Sequence, residues 1–367
     1  MTWTSSDERW MLRALELAAR GRFTTWPNPM VGCVVVEDDR LLGEGWHMKH
    51  GEAHAEVNAL AQVDPKKDLS NATAYVTLEP CSHTGKTPPC ADLLVSRGVG
   101  RVVVASKDPN PEVSGRGLSR LGDAQCQVDV GCLEREALEL NRAFMHSMTS
   151  SRPWITLKWA QSQDGYVDPD LEAPFGRGGC ALTGAQSGRH THTLRATHDG
   201  ILVGMRTWLV DRPSLTTRHV PGSNPARFIL TSGQSPKPEN APVLSGNDTA
   251  TLVCPAEAIH SPALLSWMQA GYGVLALRGL AFSEGWWTDF KAQTSIAACM
   301  VEGGAQVAQG VLDSHCWDEV HVLEAPEPLG HGLAAPPCPE SDPHVFARLG
   351  EDMLTVWRAD SISAASC

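Results

Sequence analysis

One histidine, one glutamate and two cysteines constrain this chain more than any other part of its sequence. His54 and Glu56 are two residues apart, Cys81 follows Pro80, and Cys90 lies further along the chain. One imidazole and two thiolates are favourable zinc ligands, and a catalytic zinc keeps three protein ligands and leaves the fourth position to water. Glu56 is too near His54 to be an ordinary fourth ligand, and is better placed to move protons. The pattern therefore predicts an open zinc site beside an acid.

The order of these residues is that of the zinc deaminases, in which an H-x-E segment precedes a Pro-Cys segment with a second cysteine. The second segment usually reads P-C-x-x-C, whereas eight residues separate the two thiols here. In such a site zinc lowers the pKa of bound water towards neutrality, and Glu56 takes the proton. The hydroxide attacks an amino-bearing ring carbon, and Glu56 returns protons to the ring and to the leaving ammonia.

A structural zinc is the alternative, and it would need four protein ligands. The fourth would have to come from His47, His50, His83 or Cys33. Glu56 favours the catalytic site over this alternative.

The size and composition indicate a globular protein with two domains. The chain has 367 residues, of which 42% are hydrophobic and 20% are charged. No apolar run is long enough to cross a bilayer, and the N-terminus lacks the basic and apolar regions of a signal peptide. Eleven cysteines without regular spacing favour free thiols and a metal site over a disulfide framework. We therefore expect a cytoplasmic protein that does not associate with membranes.

The charge balance argues against a nucleic-acid partner. Residues 1–150 contain 16 Lys and Arg against 20 Asp and Glu, and the remainder contains 14 against 22, which gives the net charge of −12. Nucleic-acid binding depends on clustered Lys and Arg, which neither half provides. A few well-placed cations could still bind an anionic small molecule.

Helices and strands are expected to alternate over residues 1–148, the first predicted domain. Ser5 and Glu8 have capping-box spacing, which predicts a first helix that ends near Gly21. Helices are also expected at 54–63, from Pro88-Pro89 to Gly98, and at 133–148. Short apolar runs predict strands at 31–36, 41–46, 73–78, 101–105 and 125–130. Continuous apolar strands between helices indicate a layered α/β/α domain, with the metal-binding segments at or near helix starts.

A short polar joint at Thr149–Pro153 precedes the second predicted domain, residues 152–367. Strands are predicted at 154–158, 200–203, 227–231, 250–253, 273–277, 297–301, 319–323 and 353–357. Helices are predicted at 186–196 and from Gly304 to Leu312. Residues 232–247 and 325–343 are rich in Pro, Gly and Ser, so we predict loops there. This domain is also expected to be α/β.

Further motifs surround the predicted zinc ligands. They read Pro27-Asn28-Pro29-x-Val31-Gly32-Cys33, Gly45-x-His47, His54-Ala55-Glu56, Pro80-Cys81-Ser82-His83-x-Gly85-Lys86-Thr87-Pro88-Pro89-Cys90, Asp108-Pro109-Asn110-Pro111 and Gly115-Arg116-Gly117. Together they resemble the deaminase half of the bifunctional riboflavin-biosynthesis deaminase–reductase (RibD) family, whose own pattern has the long spacer between the thiols.

This resemblance implies a cytidine-deaminase-like domain that acts on 2,5-diamino-6-(phosphoribosylamino)pyrimidinone. It further implies that four residues hold the pyrimidine and its phosphate, namely Asn28, His47, His83 and Lys86. Without the resemblance, His47 and His83 would each be taken for loop histidines with solvent contacts.

The second half resembles the reductase of the same family, which is similar to dihydrofolate reductase in fold. The matching segments are Lys158-x-Ala160-x-Ser162-x-Asp164-Gly165, Leu194-Arg195-Ala196, Asp199 to Gly204, Thr207 to Arg218, and Val301-Glu302-Gly303-Gly304. The resemblance implies NADPH as the cofactor and 5-amino-6-(phosphoribosylamino)uracil as the substrate. Hydride would go to the ribose carbon that opens as an aldehyde or imine, which gives the ribityl product.

The resemblance also implies which residues contact each molecule in this half. Cofactor contacts are implied for Ala160, Ala181, Thr207, Asp211, Gly303, Gly304, Ala305, Gln306 and Val307. Substrate contacts are implied for Lys158, Gly179, Arg195, Leu215, Arg218 and Glu302. Elementary chemistry agrees, because a Gly-Gly turn before a helix lets backbone N–H groups approach a phosphate. A guanidinium likewise offers paired donors to a phosphate.

The sequence departs from the family pattern at two places. Ala181-Leu182-Thr183 stands where the family usually has Trp-Ile-Thr, so an aromatic wall near the cofactor is missing. Arg212 stands where a small or acidic residue is usual.

Three alternatives to a bifunctional enzyme remain open on the sequence. One is an active deaminase with a degenerate reductase domain that only binds or dimerises. A second is a nucleic-acid base deaminase, and a third is a zinc-stabilised binding protein without catalysis. The family also suggests a homo-oligomer formed through the reductase domain.

Overall fold

The computed structural model describes residues 2–82, 88–110, 114–169, 178–234 and 249–359. The chain divides between Ser150 and Ser151 into two compact units, an N-terminal and a C-terminal one, which are described in turn. None of the helices within the described ranges combines the length and apolar character that a membrane span requires.

The elements of the N-terminal unit are α1 Ser5–Ala18, β1 Gly32–Glu37, β2 Arg40–Trp46, α2 Ala55–Leu60, β3 Thr73–Leu78, α3 Cys90–Ser96, β4 Arg101–Ser106, α4 Arg116–Asp123, β5 Gln127–Val130, α5 Glu134–Leu140 and α6 Arg142–Thr149. Its described strands form a five-stranded sheet in the order β2-β1-β3-β4-β5. Strands β3, β4 and β5 are parallel, and β1 is antiparallel to both β2 and β3.

Both faces of this sheet are covered, as its apolar strands predict. Along β1, Cys33 and Val35 pack into the core beneath α2 and α3, whereas Val34 and Val36 pack into the core beneath α1 and α5. The period of two along a strand separates the two cores. The layered α/β/α arrangement follows from this burial on both faces.

Two local predictions for the N-terminal unit were wrong. The capping box of α1 is formed by Thr4 and Asp7, one residue earlier than the predicted Ser5 and Glu8. The predicted helix 133–148 is two helices that meet at Asn141. The Asn141 amide pairs with both backbone groups of Met30, each at 2.8 Å, and this long-range contact breaks the helix. Helix α4 was not predicted.

The C-terminal unit has a nine-stranded sheet in the order β11-β10-β9-β8-β12-β6-β13-β16-β15 and a two-stranded ribbon, β14-β7. Its elements are β6 Trp154–Gln161, β7 Tyr166–Asp168, α7 Ala185–Ala196, β8 Gly200–Gly204, α8 Met205–Asp211, β9 Ala226–Leu230, β10 Ala250–Pro255, α9 Pro262–Gln269, β11 Gly273–Leu277, α10 Glu284–Thr294, β12 Ala298–Val301, α11 Ala305–Asp313, β13 Glu319–Glu324, β14 Leu333–Ala334, β15 Val345–Leu349 and β16 Asp352–Arg358.

The large sheet is parallel except at one edge, where β16 runs antiparallel to β13 and β15. Strand β6 lies between β12 and β13, both of which come much later in the chain. The eight predicted strands of this half are present to within a few residues. The helices α8, α9 and α10 and the short strands β7, β14 and β15 were not predicted.

Strand β6 presents different residues to the two faces of the sheet. Ile155, Leu157 and Trp159 pack into one core with Trp287 and Phe290 of α10. The alternation along the strand therefore turns Lys158 to the opposite face.

Asp7 allows a test of the packing of α1 on its sheet. Its carboxylate accepts hydrogen bonds from the Tyr75 hydroxyl at 2.9 Å and from Arg101 Nη1 at 2.7 Å. Burial alone would raise the pKa of Asp7, but the bonds from Arg101, Thr4 and Tyr75 outweigh it and lower the pKa to about 2.

Because the pKa of Asp7 in the folded state lies below its unfolded value of about 3.9, its stabilisation is present above that value. It is lost as the pH falls through about 2. We expect Asp7→Asn to lower the free energy of unfolding by about 2 kcal/mol at pH 7 and by progressively less below about pH 4. Urea unfolding from pH 2 to 7 measures this. The exposed carboxylate of Asp123 provides the control Asp123→Asn, and a difference that does not change with pH would contradict the prediction.

Candidate functional site

Three side chains from separate segments of the N-terminal unit meet at one point. His54 is the residue before α2, Cys81 follows β3, and Cys90 is the first residue of α3. Their ligand atoms all lie within 4.8 Å of one another. His54 Nδ1 is 3.6 Å from Cys81 Sγ and 3.3 Å from Cys90 Sγ. Both metal-binding segments thus stand at helix starts.

The donor set fits a zinc ion. Zn–N bonds of about 2.0 Å and Zn–S bonds of about 2.3 Å at tetrahedral angles put nitrogen and sulfur roughly 3.5 Å apart, close to the spacing here. In the described ranges, none of the alternative fourth ligands His47, His50 and Cys33 belongs to the group. His83, the remaining alternative, lies outside the described residues. Three donors are the number that a catalytic zinc requires.

The thiols are prepared for a cation. A hydrogen bond from the Cys90 thiol, with a further contribution from His54, lowers the pKa of Cys81 to about 4. The Cys90 backbone N–H also points at Cys81 Sγ, at 3.3 Å. The proton shared by the pair raises the pKa of Cys90, as does burial. A bound divalent ion would displace that proton, because metal binding requires deprotonated thiols.

Glu56 is buried beside these ligands, with 3% of its surface exposed. Burial raises the pKa of its carboxyl, and the charge of Cys81 adds to the effect. A carboxyl whose pKa moves towards neutrality suits general acid and base catalysis. Helix α2 can hold Glu56 here because Gly45 lets β2 approach it closely. A Cβ on Gly45 would lie 2.6 Å from Ala59 N.

Two of the four predicted pyrimidine contacts lie side by side near the cluster. Asn28 Nδ2 is 3.2 Å from His47 Nε2, and His47 Nδ1 is 3.1 Å from the Ala53 carbonyl. The rings of His47 and His54 are 5.6 Å apart. Burial lowers the pKa of His47, which favours a neutral ring that can exchange hydrogen bonds with a base. The other two predicted contacts, His83 and Lys86, lie outside the described residues.

The C-terminal unit contains a cleft of about 930 Å³. Thirteen of the residues implied for this half line it, namely Lys158, Ala160, Gly179, Arg195, Thr207, Asp211, Leu215, Glu302, Gly303, Gly304, Ala305, Gln306 and Val307. Ala181 and Arg218 are not among the lining residues. Leu182, the neighbour of Ala181, does line the cleft and gives it an apolar wall.

A carboxylate with 16% of its side-chain surface exposed lies between two cations and forms part of this cleft. Glu302 is 3.1 Å from Lys158 Nζ and accepts two hydrogen bonds from Arg195, at 2.9 and 2.7 Å. Burial acts to raise the pKa of Glu302, but Lys158 and Arg195 outweigh it and lower the pKa. Each of the three groups therefore reduces the cost of burying the others.

Arg218 lies close by on an exposed segment. Its guanidinium donates to the hydroxyls of Ser214 and Thr216, and its backbone N–H donates to His192 Nδ1 at 3.2 Å. The Thr216 carbonyl in turn accepts from Arg195 Nη1 at 3.2 Å. Arg218 therefore stands next to the segment that Arg195 contacts.

The residues at the start of α11 fit a phosphate-bearing cofactor. Gly303 and Gly304 precede this helix, where unpaired N–H groups and the helix dipole favour anions. A Cβ on Gly304 would lie 3.1 Å from Thr207 Oγ1, so a side chain there would crowd this wall. The residues present therefore fit a dinucleotide.

Both halves of the chain match known families. Residues 4–106 match the cytidine and deoxycytidylate deaminase zinc-binding region, and residues 153–350 match the RibD C-terminal domain. The riboflavin biosynthesis protein RibD of Aquifex aeolicus is 39% identical over 329 residues, which cover 89% of each chain. This chain belongs to the RibD family. The Escherichia coli member is 37% identical over 354 residues, covering 88% of this chain and 89% of that protein.

Solved structures of RibD proteins share the fold. Acinetobacter baumannii RibD has a TM-score of 0.80 at 33% identity, and covers 96% of this chain and 98% of its own. The Thermotoga maritima protein has a TM-score of 0.80 at 32% identity with the same coverage. That protein is named as a diaminohydroxyphosphoribosylaminopyrimidine deaminase/5-amino-6-(5-phosphoribosylamino)uracil reductase. The predicted family and fold class are therefore confirmed.

Sequence reasoning missed several residues that line the cleft. Thr231 and Ser232 follow β9, and Arg206 is the second residue of α8, which comes directly after β8. Ligands of open α/β sheets bind at the carboxyl ends of parallel strands. That rule, applied to the predicted strands, could have found all three.

The metal content of a cysteine variant tests the predicted ligand set. We expect Cys90→Ser to lower bound zinc well below one ion per chain, because a neutral hydroxyl replaces a thiolate. Metal analysis after dialysis measures this. The matched control Cys126→Ser changes a buried thiol of the same unit outside the cluster and should keep its zinc. Full zinc content in Cys90→Ser would remove Cys90 from the ligand set.

Proposed function

We propose that this chain catalyses two consecutive steps of riboflavin biosynthesis. The first is hydrolytic deamination of 2,5-diamino-6-(phosphoribosylamino)pyrimidinone, by residues 1–148. The second is NADPH-dependent reduction of the ribosyl group of 5-amino-6-(phosphoribosylamino)uracil, by residues 152–367. Membership of the RibD family supports both, and the observation that carries the first is a buried Glu56 beside three metal donors.

In the deaminase, His54, Cys81 and Cys90 would hold zinc. When bound, zinc supplies Lewis acidity and a water of lowered pKa. Glu56 takes a proton from the attacking water and delivers protons to the pyrimidine ring and to the departing amine, which leaves as ammonia. Asn28 and His47 orient the pyrimidine, and we assign the same task, with the phosphate, to His83 and Lys86.

In the reductase, backbone N–H groups of Gly303 to Gln306 would hold the NADPH phosphates, with Ala160, Ala181, Thr207, Asp211 and Val307 beside the cofactor. When bound, NADPH supplies hydride. Lys158, Gly179, Leu215 and Glu302 contact the ribosylaminopyrimidine. Lys158 presents N–H donors to the oxygen of the opening sugar, and its contact with Glu302 positions the ammonium group.

The two arginines divide the work at the substrate phosphate. Arg195 already donates from Nε and Nη2 to Glu302 and from Nη1 to the Thr216 carbonyl, so it positions the Glu302 carboxylate. Arg218 is exposed, and within the described residues its guanidinium donates to the hydroxyls of Ser214 and Thr216. We therefore assign the phosphate chiefly to Arg218, because a phosphate can replace or join these hydroxyls.

A degenerate reductase is the main alternative. The charged triad of Lys158, Glu302 and Arg195 argues against it, since a domain that only binds or dimerises has no need of two buried cations around a carboxylate. A nucleic-acid base deaminase is less consistent with the net charge of −12.

We further propose that the enzyme is a cytoplasmic homo-oligomer whose only other ligands are small molecules. All ten cysteines in the described part of the chain are free thiols, which suits a reducing compartment. Light scattering of the purified protein would give the oligomeric state.

Glu56→Gln tests the deaminase. Given the pyrimidine substrate, we expect the native protein to release ammonia without NADPH, and to oxidise NADPH once both are present. Glu56→Gln should retain zinc and release no measurable ammonia, because an amide cannot accept the proton. The control Glu52→Gln changes an exposed carboxylate of the preceding loop and should keep full activity. Unchanged turnover in Glu56→Gln would exclude Glu56 from the mechanism.

Arg218→Ala tests the reductase. We expect it to abolish NADPH oxidation at ordinary substrate concentrations and to leave ammonia release unchanged. Calorimetry should find NADPH affinity retained, since Arg218 serves the substrate. Arg189→Ala removes an exposed guanidinium of α7 and serves as the control. If the native protein binds no NADPH at near-millimolar concentration, the reductase assignment fails.

A further inference from the structure

Glu79 joins β3 to the Pro80-Cys81 turn and has no part in the metal binding or proton transfer proposed above. Only 4% of its surface is exposed. Its backbone N–H donates to the Ser106 carbonyl at 2.9 Å, at the end of the neighbouring strand β4. The side chain is therefore buried directly beside a metal-ligand segment.

The Glu79 carboxylate accepts hydrogen bonds from three backbone N–H groups of residues 108–117. Oε2 accepts from Asp108 N at 3.3 Å and from Gly115 N at 3.0 Å, and Oε1 accepts from Gly117 N at 3.0 Å. These donors belong to the Asp-Pro-Asn-Pro and Gly-Arg-Gly motifs, to which the proposed chemistry gives no role. Gly115 and Gly117 are at the N-terminus of α4, where an anion is favourable. One buried carboxylate thus fixes both ends of this loop.

Helix α4 in turn contacts residues next to both cysteine ligands. Gly117 packs against Pro80 so closely that a Cβ would lie 2.0 Å from the Pro80 carbonyl oxygen. Arg120, one turn along the same helix, donates to the Ser82 carbonyl at 3.2 Å and to Asp92 of α3 at 3.0 Å. The helix that Glu79 caps therefore holds the turn around Cys81 and the start of the helix that carries Cys90.

We propose that Glu79 is a positioning residue of the deamination site, which ties the 108–117 loop and α4 to the Cys81 turn and so fixes the geometry of the metal ligands. This role rests on the proposed deaminase function. Groups that orient metal ligands in this way typically change metal affinity by about 10- to 100-fold when they are removed. We expect the loss of Glu79 to lower metal affinity more than it lowers the stability of the N-terminal unit.

Glu79→Gln tests this role with little change in shape. The amide NH₂ is a donor only, so it must oppose at least one of the three backbone N–H groups. We expect zinc affinity, measured by chelator competition, to fall by about 10- to 100-fold. The cobalt-substituted protein should show an altered visible spectrum, and the turnover number for ammonia release should fall. Glu44→Gln is the control, because it removes a carboxylate paired with Arg13 in the same unit. It should leave zinc affinity and the cobalt spectrum unchanged.

A second variant approaches the same contact from α4. Gly117→Ala should push the helix away from Pro80 and lower zinc affinity in the same way. Gly122→Ala, in the same helix, places its Cβ in open space and should behave as the native protein does. This pair keeps the test decisive if Glu79→Gln cannot be purified in folded form.

The outcomes separate the inference from the function on which it rests. Native zinc affinity and an unchanged cobalt spectrum in Glu79→Gln and Gly117→Ala would overturn the positioning role, even if both variants melted earlier. Absence of ammonia release by the native protein would overturn the deaminase function, while the zinc measurements would still decide whether Glu79 fixes the metal ligands. NADPH oxidation with the deaminated substrate should stay normal in both variants and reports that the C-terminal unit is folded.

Discussion

The N-terminal unit depends on bringing negative charge together in a place from which water is largely excluded. Two thiols and a buried carboxylate converge where α2 and α3 begin, and such a cluster is costly unless something positive meets it. Helix N-termini offer partial positive charge, and the His54 imidazole offers a further donor. A divalent cation would complete the compensation. The unfavourable electrostatic energy of these groups is thus concentrated at the proposed reaction site, and the surrounding sheet and helices hold the groups in place.

In the C-terminal unit the charges that need compensation are positive, and an anion compensates them. Lys158 and Arg195 are both nearly buried, and Glu302 is the anion between them. Removal of the anion would leave two cations unpaired in a poorly solvated cleft, which typically costs several kcal/mol. An anionic ligand that enters such a cleft meets positive charge that is already ordered, so little conformational entropy is lost on binding.

The sequence predicted those parts of the structure that short-range patterns control. Burial on both faces of β1 follows from a continuous apolar run, and the separation of His54 from Glu56 places both at one end of a helix. Contacts between distant segments were not predictable. Asn141 breaks a periodic helix only because Met30 lies against it, and Arg218 differs from Arg195 only through the groups that surround each. The contacts of Glu79 were not predictable either, since the three N–H groups that its carboxylate binds come from residues 108–117.

The central position of β6 has a consequence for the order in which the chain folds during synthesis. Its neighbours β12 and β13 leave the ribosome long after it does, so the large sheet stays open at its middle until most of the polypeptide has been translated. The N-terminal sheet closes using strands that are all made before residue 131. Domains generally fold as units during translation, N-terminal first, and distant pairings form slowly. The N-terminal sheet can therefore be complete while the apolar strands of the other half are still exposed, which makes that half the more open to chaperone binding.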